Sequence, residues 1–283
     1  VLIIGCGYAG LPLGERLARA GHQVHGLRRS ASADGEMIAR GIAPVHADLT
    51  DPQSLAKIEP AFDWVVNAAS SSRGGLEDYR AVYLNGTRNI LAWLRPRPPA
   101  RYLYTSSTSV YAQNDGSVVT EKSPAEPHSE TSQVLRETER LLLDSFPAII
   151  LRASGIYGPD RGHLFKQYLK GEAVLRDDGS AFINMVHVED VARAIEHTLN
   201  QGAPGEIYNL TDDQPVTQRE FFAWLSETLA RPMPPSAPAD PQRKRGLTSK
   251  RLSNAKLKTA GFQFQYPTYR EGYTAEMHRL GLR

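Results

Sequence analysis

The sequence predicts an α/β fold built on a parallel sheet. Short apolar, β-branched runs alternate with helical patterns over the first two-thirds of the chain. This repetition is typical of strand–helix–strand units with right-handed crossovers. Because the runs are apolar throughout, we expect strands that are covered on both faces. A chain of 283 residues can form one large domain, or a main domain with a smaller lobe.

Each expected element follows from a local pattern. Strands are expected at residues 1–4, 23–27, 43–46, 64–67, 101–105 and 148–151. The clearest helices between them are at 11–20, 78–94 and 131–143. Beyond residue 158 we expect helices at 165–170, 191–199, 219–229, 253–261 and 269–280, with short strands at 182–183 and 207–209. The five prolines of 232–241 predict a loop.

These elements predict a main domain at 1–157 and a smaller α+β lobe at 158–283. A strand and a helix near 182–210 are candidates for a return to the main domain. The formal charge of +2 gives no reason to expect a nucleic-acid or membrane partner. One cysteine excludes an internal disulfide, so we expect a cytoplasmic protein.

The first strand leads directly into Gly5-Cys6-Gly7-Tyr8-Ala9-Gly10, a G-x-G-x-x-G sequence that opens a helix. Glycine is needed there for the tight turn, for backbone access to a pyrophosphate and for close helix–strand packing. The phosphates would lie on the free N–H groups of the helix N-terminus. We therefore predict a Rossmann-type dinucleotide site, with Tyr8 and Ala9 beside the glycines. We expect Cys6 to be an inert apolar residue rather than a redox switch.

The second strand ends in Leu27-Arg28-Arg29-Ser30. An NAD site usually has an acidic residue here to bind the ribose hydroxyls. Two guanidinium groups and a hydroxyl are better suited to a 2′-phosphate. We therefore favour NADP, with NAD as second choice. The alternative is a solvated basic turn.

Two later strand ends also face the expected cofactor site. Asp48 and Leu49 follow the third strand, and Asp48 could accept a hydrogen bond from adenine. Asp51, just before a proline, is suited to capping a helix. Asn67-Ala68-Ala69 closes the fourth strand, where small residues let the backbone approach a ligand.

The chain resembles the extended short-chain dehydrogenase/reductases, in particular the NAD-dependent epimerase/dehydratases that act on nucleotide sugars. The matching segments occur in the family's order, at residues 5–10, 47–51, 67–69, 85–87, 105–111, 151–159 and 186–192. Residues 251–254 and 266–272 further resemble an atypical bacterial subgroup.

The resemblance implies a doubly wound sheet with helices on both faces, a small-molecule substrate such as a nucleotide sugar, and a homodimer formed through the helices at 78–94 and 131–143. It also adds these residues to the expected cofactor site: Asn85, Thr105, Ser106, Ala153 and Ile156.

The family's catalytic Tyr-x-x-x-Lys does not match this chain. Ser107 occupies the position of the third catalytic residue. In one register Thr131 replaces the tyrosine and Leu135 the lysine, and in a register shifted by one residue Ser132 and Arg136 take those positions. A Thr or Ser hydroxyl is far less acidic than a phenol, and Arg retains its proton in proteins.

Three functions remain open. The first is an NADP-dependent oxidoreductase or epimerase with a substituted acid/base, for which Tyr111, Tyr157, His163 and His187 are candidates that packing or capping would also explain. The second is a non-catalytic NADP-binding sensor, and the third a scaffold without cofactor. The basic residues at 243–245 could meet a pyrophosphate, but a mobile surface loop is the default explanation for them.

Overall fold

A computed structural model describes residues 1–71, 74–238 and 248–282. The chain divides into two compact units. The first comprises Val1–Tyr111, Pro124–Ala153 and Val191–Tyr208, and the second Ala112–Ser123, Ser154–Asp190 and Asn209–Arg283. The units therefore interleave along the chain. The sequence analysis places the main boundary after residue 157 and names a strand and a helix near 182–210 as candidates for a return to the main domain.

The first unit is built on a seven-stranded parallel sheet. Its strands are β1 (Leu2–Ile4), β2 (Val24–Arg28), β3 (Ile42–His46), β4 (Trp64–Asn67), β5 (Arg101–Ser107), β6 (Ile149–Ala153) and β7 (Ile207–Leu210). The order across the sheet is β7-β6-β5-β4-β1-β2-β3. Its first six strands have the 3-2-1-4-5-6 order of a Rossmann sheet. The predicted α/β doubly wound fold is confirmed.

Both faces of the sheet are covered. Leu2, Ile3 and Ile4 are all 0% exposed, and successive side chains on a strand point to opposite faces. The helices that contribute to this unit are Gly10–Arg19, Asp34–Ala39, Pro52–Leu55, Leu76–Tyr79, Gly86–Leu94, Glu130–Ser145 and Val188–Gln201. We call Gly10–Arg19 the first helix and Glu130–Ser145 the long helix.

The long helix uses most of its apolar residues within its own unit. Val134, Leu135 and Leu142 are buried there, whereas Leu141 and Leu143 are half-buried. The core of this unit therefore accounts for three of these five apolar residues.

The helix expected at residues 78–94 contains a turn of a different kind. Leu76–Tyr79 is α-helical, Arg80–Asn85 is a π-helix, and Gly86–Leu94 is α-helical again. The π-turn inserts one extra residue and shifts the faces of the segment that follows it. Gly86 lies directly after this turn, where a Cβ would lie 1.9 Å from Cδ1 of Leu49.

The second unit combines short strands with helices. Its strands are Val118–Val119, Gly155–Tyr157, Leu175–Arg176, Phe182–Ile183, Met185–His187, Val216–Thr217, Ser236–Ala237 and Arg251–Leu252. Its helices are His163–Lys170, Gln218–Leu229, Ala255–Thr259 and Tyr269–Arg279. An aromatic cluster that includes Phe221, Tyr269 and Tyr273 forms its core.

The sequence analysis expects the proline-rich segment at 232–241 to be a loop, but part of it is a short strand. Ser236–Ala237 pairs in parallel with Leu175–Arg176. Both residues retain their N–H groups between Pro235 and Pro238, so a two-residue edge strand can form. The predicted basic cluster at 243–245 lies outside the described residues. No helix within residues 1–71, 74–238 and 248–282 is long and apolar enough to cross a membrane.

Candidate functional site

The glycine loop, Gly5 to Gly10, joins β1 to the first helix. Gly5 has a φ of +78°, which side-chain-bearing residues rarely adopt. A Cβ on Gly5 would lie 2.4 Å from Cα of Ala69, so the loop approaches the end of β4 backbone to backbone. A Cβ on Gly10 would lie 3.1 Å from Cγ2 of Ile3. Close packing is therefore a reason for glycine at two of the three positions, Gly5 and Gly10.

Gly7 has no such reason. The nearest heavy atom to a Cβ built there is the Gly5 carbonyl oxygen, 3.9 Å away. Ala9 precedes the first helix, and among the described residues no side chain caps it and no acidic residue lies in its first turn. Tyr8, beside Gly7, is half-buried. Open space therefore lies beside Gly7 at the uncapped N-terminus of the first helix, where an anion could approach.

Arg28, the last residue of β2, lies against this loop. Its Nη1 donates to the carbonyl oxygen of Cys6 at 3.4 Å, and the side chain is half-buried. Arg29 and Ser30 are exposed. The structure therefore brings one of the two candidate arginines to the glycine loop and leaves its neighbour in solvent.

The Cys6 side chain is enclosed beneath the loop. It is 0% exposed, and a Cβ on Gly26 would lie 2.9 Å from its Sγ. Burial raises the pKa of the Cys6 thiol to about 11. These surroundings fit a packed apolar residue rather than a thiolate.

Asp48 and Asp51 both make local hydrogen bonds. Oδ1 of Asp48 accepts from the backbone N of Thr50 at 2.9 Å and from its hydroxyl at 2.7 Å. Oδ1 of Asp51 accepts from the backbone N of Gln53 at 3.0 Å and thereby caps the helix Pro52–Leu55, as expected. Leu49 is buried. A ligand at Asp48 would have to use Oδ2 or share Oδ1 with the turn.

Hydrogen bonds of a buried asparagine, Asn67, fix the end of β4. Asn67 is 3% exposed, its Nδ2 donates to the Tyr102 hydroxyl at 3.2 Å, and its Oδ1 accepts from the Ala69 backbone N at 3.3 Å. The backbone N of Ala68 donates to the Ile4 carbonyl at 2.9 Å. Asn67 therefore acts on this site by shaping the backbone that faces Gly5.

The candidates added by the resemblance are more dispersed. Asn85 is exposed, and its Oδ1 accepts from Arg88 at 2.9 Å. Ala153 ends β6 opposite Ser107 of β5 and is buried. Ile156 is half-buried in the second unit.

Three hydroxyls close β5. Oγ1 of Thr105 is buried with no hydrogen-bond partner in the described chain. The Ser106 hydroxyl donates to Oε1 of Glu139 at 2.6 Å. Oγ of Ser107 accepts from the Ser109 backbone N at 3.2 Å and caps the turn Thr108–Val110. Ser107 thus lies at the end of a central strand.

The residues that stand in for the family's Tyr and Lys lie at the start of the long helix. Thr131 is half-buried. Ser132 is buried, and its hydroxyl accepts from the Ser129 hydroxyl at 2.8 Å. Ser129 also caps the helix by accepting from the Ser132 backbone N. Ser132 is therefore part of a helix cap.

Arg136 lies one turn further along, over a buried carboxylate. Its Nη1 donates to Oε2 of Glu139 at 3.3 Å. Its Nε is buried and has no hydrogen-bond partner among the described residues. Nη1 of the Arg136 guanidinium is therefore bonded to Glu139, whereas its Nε–H donor has no hydrogen-bond partner among the described residues.

Glu139 connects these elements in a network that the sequence analysis missed. Its side chain is 0% exposed and accepts from Ser106 and Arg136. Arg152 of β6 donates from Nε to Oε1 at 2.9 Å and from Nη2 to Oε2 at 2.6 Å. Nη1 of Arg152 also donates to the Tyr111 hydroxyl at 2.7 Å. Tyr111, a candidate acid/base, is 0% exposed and held by this arginine.

The other acid/base candidates lie in the second unit. Nδ1 of His187 accepts from the Glu189 backbone N at 3.2 Å, the capping explanation that the sequence analysis gives for it. Burial lowers the pKa of His187 to about 4. Burial also raises the pKa of Tyr157, which stacks on Tyr273 with ring centroids 4.3 Å apart. His163 is exposed.

Lys250, also in the second unit, is a titratable residue that the sequence analysis did not identify. It is only 5% exposed, and its Nζ donates to Oγ1 of Thr248 at 2.8 Å. Burial lowers the pKa of its amine to about 8. No sequence motif marks it, since its burial comes from chain packing.

Comparisons with known proteins agree with this geometry. The profile of the NAD dependent epimerase/dehydratase family matches residues 1–211. Protein YeeZ of Escherichia coli strain K12 is 28% identical over 277 residues, covering 94% of this chain and 96% of YeeZ. A 4-hydroxy-2-methyl-3-oxo-4-farnesyl-3,4-dihydroquinoline-1-oxide ketoreductase of Stigmatella aurantiaca is 27% identical, covering 79% of this chain and 71% of its own. A solved structure described as an NAD-dependent epimerase/dehydratase, from Methylobacillus flagellatus, is 32% identical with a TM-score of 0.81, covering 99% of this chain and 98% of its own.

Proposed function

Because the chain belongs to the NAD dependent epimerase/dehydratase family, we propose that it is an NADP-dependent oxidoreductase or epimerase that works without the family's Tyr-x-x-x-Lys pair. The observation that carries this proposal is the open space at Gly7 beside the uncapped first helix. In the proposal, the substrate is a small molecule with a carbonyl or hydroxyl group. The ketoreductase relative supports a carbonyl, and the family favours a nucleotide sugar.

The residues of the first unit fit a dinucleotide. The pyrophosphate would lie on the N–H groups beside Gly7, because a helix N-terminus favours an anion. The buried, unpartnered Nε of Arg136 would donate to a ribose hydroxyl, in place of the family's lysine. When bound, the nicotinamide supplies or accepts a hydride.

The preference for NADP rests on Arg28 and Arg29. Arg28 already reaches the glycine loop, and a guanidinium can bind a phosphate through two parallel hydrogen bonds. Arg29 is exposed and would join it from the solvent side. A 2′-phosphate between them would be bound by opposite charge and by paired hydrogen bonds from the guanidinium groups.

In the proposal, the catalytic residues contribute less than a Tyr-x-x-x-Lys pair would. In the proposal, the Ser107 hydroxyl donates to the substrate oxygen, while Thr131 lies near the missing tyrosine's position. Arg136 keeps its proton, so its role is to orient the cofactor rather than to exchange protons.

Calorimetric titration with NADP, NADPH, NAD and NADH tests the cofactor assignment. We expect NADP(H) to bind at least about tenfold more tightly than NAD(H), and Arg28→Ala to remove the difference, since charge-assisted phosphate contacts are lost. Arg19→Ala removes an exposed arginine that pairs with Glu15 and serves as the control. Binding of none of the four nucleotides would refute the proposal.

A second candidate function is a non-catalytic NADP-binding sensor, and the cap formed by Ser129 and Ser132 favours it. The serine hydroxyls of this cap are far less acidic than a phenol, so the start of the long helix holds no proton donor as strong as a tyrosine. NADPH oxidation with a panel of carbonyl compounds and nucleotide sugars separates the two. Turnover supports the enzyme, whereas tight NADPH binding without turnover across the panel supports the sensor. Sedimentation of the same samples tests the homodimer that the resemblance implies.

A further inference from the structure

His46, the last residue of β3, lies beside Arg28 at the edge of the sheet. β2 and β3 pair in parallel with Arg28 directly opposite His46, and β3 is the edge strand. Residues opposite each other in a parallel pair point to the same face, and neighbouring strands are about 4.8 Å apart. The imidazole therefore shares a face with the guanidinium that reaches the glycine loop. The His46 side chain is 43% exposed, so a ligand can reach it from solvent.

Asp34, the first residue of the helix Asp34–Ala39, binds this imidazole at one nitrogen. Its Oδ2 lies 3.1 Å from Nε2 of His46, and its Oδ1 is buried with no hydrogen-bond partner among the described residues. An ionised carboxylate only accepts hydrogen bonds, so the hydrogen of this bond lies on Nε2. Nδ1 of His46 has no hydrogen-bond partner in the part of the chain that the structure describes. His46 therefore has one nitrogen bonded to Asp34 and the other available to a ligand.

The other carboxylates on the helices packed against β3 are already paired. Glu15 of the first helix and Glu36 both accept from Arg40, at 2.6 Å and 3.2 Å. On β2, Arg28 lies opposite the imidazole and donates to the glycine loop. Within the described residues, the imidazole thus meets one carboxylate, from Asp34, and one cation, from β2.

This arrangement couples the binding of an anion to the binding of a proton. A neutral imidazole with its hydrogen on Nε2 presents a lone pair at Nδ1, and a phosphate oxygen cannot accept a hydrogen bond from a lone pair. A proton on Nδ1 converts this nitrogen into a donor. The imidazolium then donates to Asp34 and to the anion at the same time.

We propose that His46 is a cofactor-specificity residue that binds the 2′-phosphate of NADP through Nδ1 and takes up a proton as it does so. This inference deepens the proposed function and rests on it. Arg28 supplies the permanent charge on the same face of the sheet. Asp34 is a positioning residue, because its carboxylate keeps the hydrogen of the neutral ring on Nε2.

Calorimetric titration with NADPH and NADH at pH 8, in buffers of different ionisation enthalpy, measures the protons taken up on binding. The two cofactors differ only in the 2′-phosphate, which loses its second proton near about pH 6 and is fully ionised at pH 8. We expect NADPH to bind with more proton uptake than NADH, by up to about one proton per site. Arg28 is not the source of the difference, because arginine keeps its proton.

Four variants separate His46 from its surroundings. His46→Gln should abolish the excess uptake and weaken NADPH binding about tenfold or more, through the loss of a hydrogen bond to a charged group, while NADH binding stays unchanged. His46→Arg should retain tight NADPH binding without uptake. In Asp34→Asn the amide can donate to Nε2, so the neutral ring can carry its hydrogen on Nδ1 and NADPH should bind without uptake. His22→Gln, at the opposite end of β2, is the matched control and should behave as the wild type.

Equal NADPH affinity and equal proton uptake in wild type and His46→Gln would overturn the inference and leave the proposed function standing. A loss of affinity without a loss of uptake would also overturn it, because the proton would then be bound elsewhere.

Adenosine 2′,5′-bisphosphate and adenosine 5′-monophosphate, titrated in parallel, probe the same site without a nicotinamide. Binding of the bisphosphate that His46→Gln weakens, with no binding of NADPH or NADH, would refute the proposed function and still support His46 as a phosphate-binding residue. Binding of none of the four compounds would overturn both.

Discussion

Arg152 and Glu139 form a two-point ion pair inside the first unit, with 2% and 0% of their side chains exposed. The pair links β6 to the long helix, and through Ser106 it also reaches β5. Removing one partner of a buried pair leaves the other charge uncompensated. The network is therefore the point at which the frame of the candidate site is most sensitive to substitution.

Glu139→Gln should lower the free energy of unfolding by about 3–5 kcal/mol, the usual cost of breaking a buried pair. Urea denaturation measures this. Glu137→Ala, on the same helix, removes an exposed carboxylate that pairs with Arg88 and should cost at most about 1 kcal/mol. Similar values for the two variants would show that the buried network does not support the fold.

Two glycines of the loop should respond differently to the same change. Gly5→Ala introduces a Cβ at positive φ and 2.4 Å from Ala69, so we expect a loss of at least about 1–2 kcal/mol of stability. Gly7→Ala has no close neighbour and should leave stability within about 0.5 kcal/mol, while NADPH affinity falls at least about tenfold. Denaturation and calorimetry on both variants check this. A Gly7→Ala protein that binds NADPH normally would contradict the proposed approach of the pyrophosphate.

His187 should make the protein sensitive to acid. Its pKa is about 4 in the folded chain, against 6.5 for an unperturbed histidine, so the unfolded state binds more protons between these values. The contribution is complete above pH 6.5 and is lost as the pH falls towards 4, by about 3 kcal/mol in total. Unfolding free energies from pH 7 to pH 4 measure it.

His187→Asn, which keeps an acceptor for the Glu189 N–H, should flatten this part of the pH profile. The same change at the exposed His163 should leave the profile as it is in the wild type. An unchanged slope in His187→Asn would show that other groups cause the acid sensitivity.

Cys6 should be unreactive in the native protein. With a thiol pKa of about 11, only about one thiol in a thousand is ionised at pH 8, and the side chain is enclosed. Iodoacetamide should therefore label Cys6 only after urea is added, as mass spectrometry would show. Rapid labelling without urea would contradict the packed environment and would reopen a redox role.

The strands could be predicted because their signal is local. Trp64–Asn67 has the predicted bounds, and the unbroken apolar run at Leu2–Ile4 already indicates a strand covered on both faces. The glycine loop could be predicted for the same reason, since its strand, turn and helix are contiguous in sequence.

The Glu139 network could not be predicted, because its bonds join residues distant in sequence. Ser106 and Glu139 are 33 positions apart, and Arg152 and Tyr111 are 41 apart. Such pairs meet only once the helix has packed on the sheet. The π-turn at Arg80–Asn85 is hidden for another reason, since its apolar residues also satisfy an α-helical pattern.

The interleaving of the two units has a consequence for synthesis. The final strand of the sheet, Ile207–Leu210, leaves the ribosome only after Ala112–Ser123 and Ser154–Asp190 of the second unit have been made. At 5–20 residues per second, the interval between residues 153 and 208 lasts about 3–11 s. During this time β6 is an open edge of a nascent sheet. The growing chain must therefore avoid aggregation through that edge, and a nascent chain stalled in this interval would be a natural client for a chaperone.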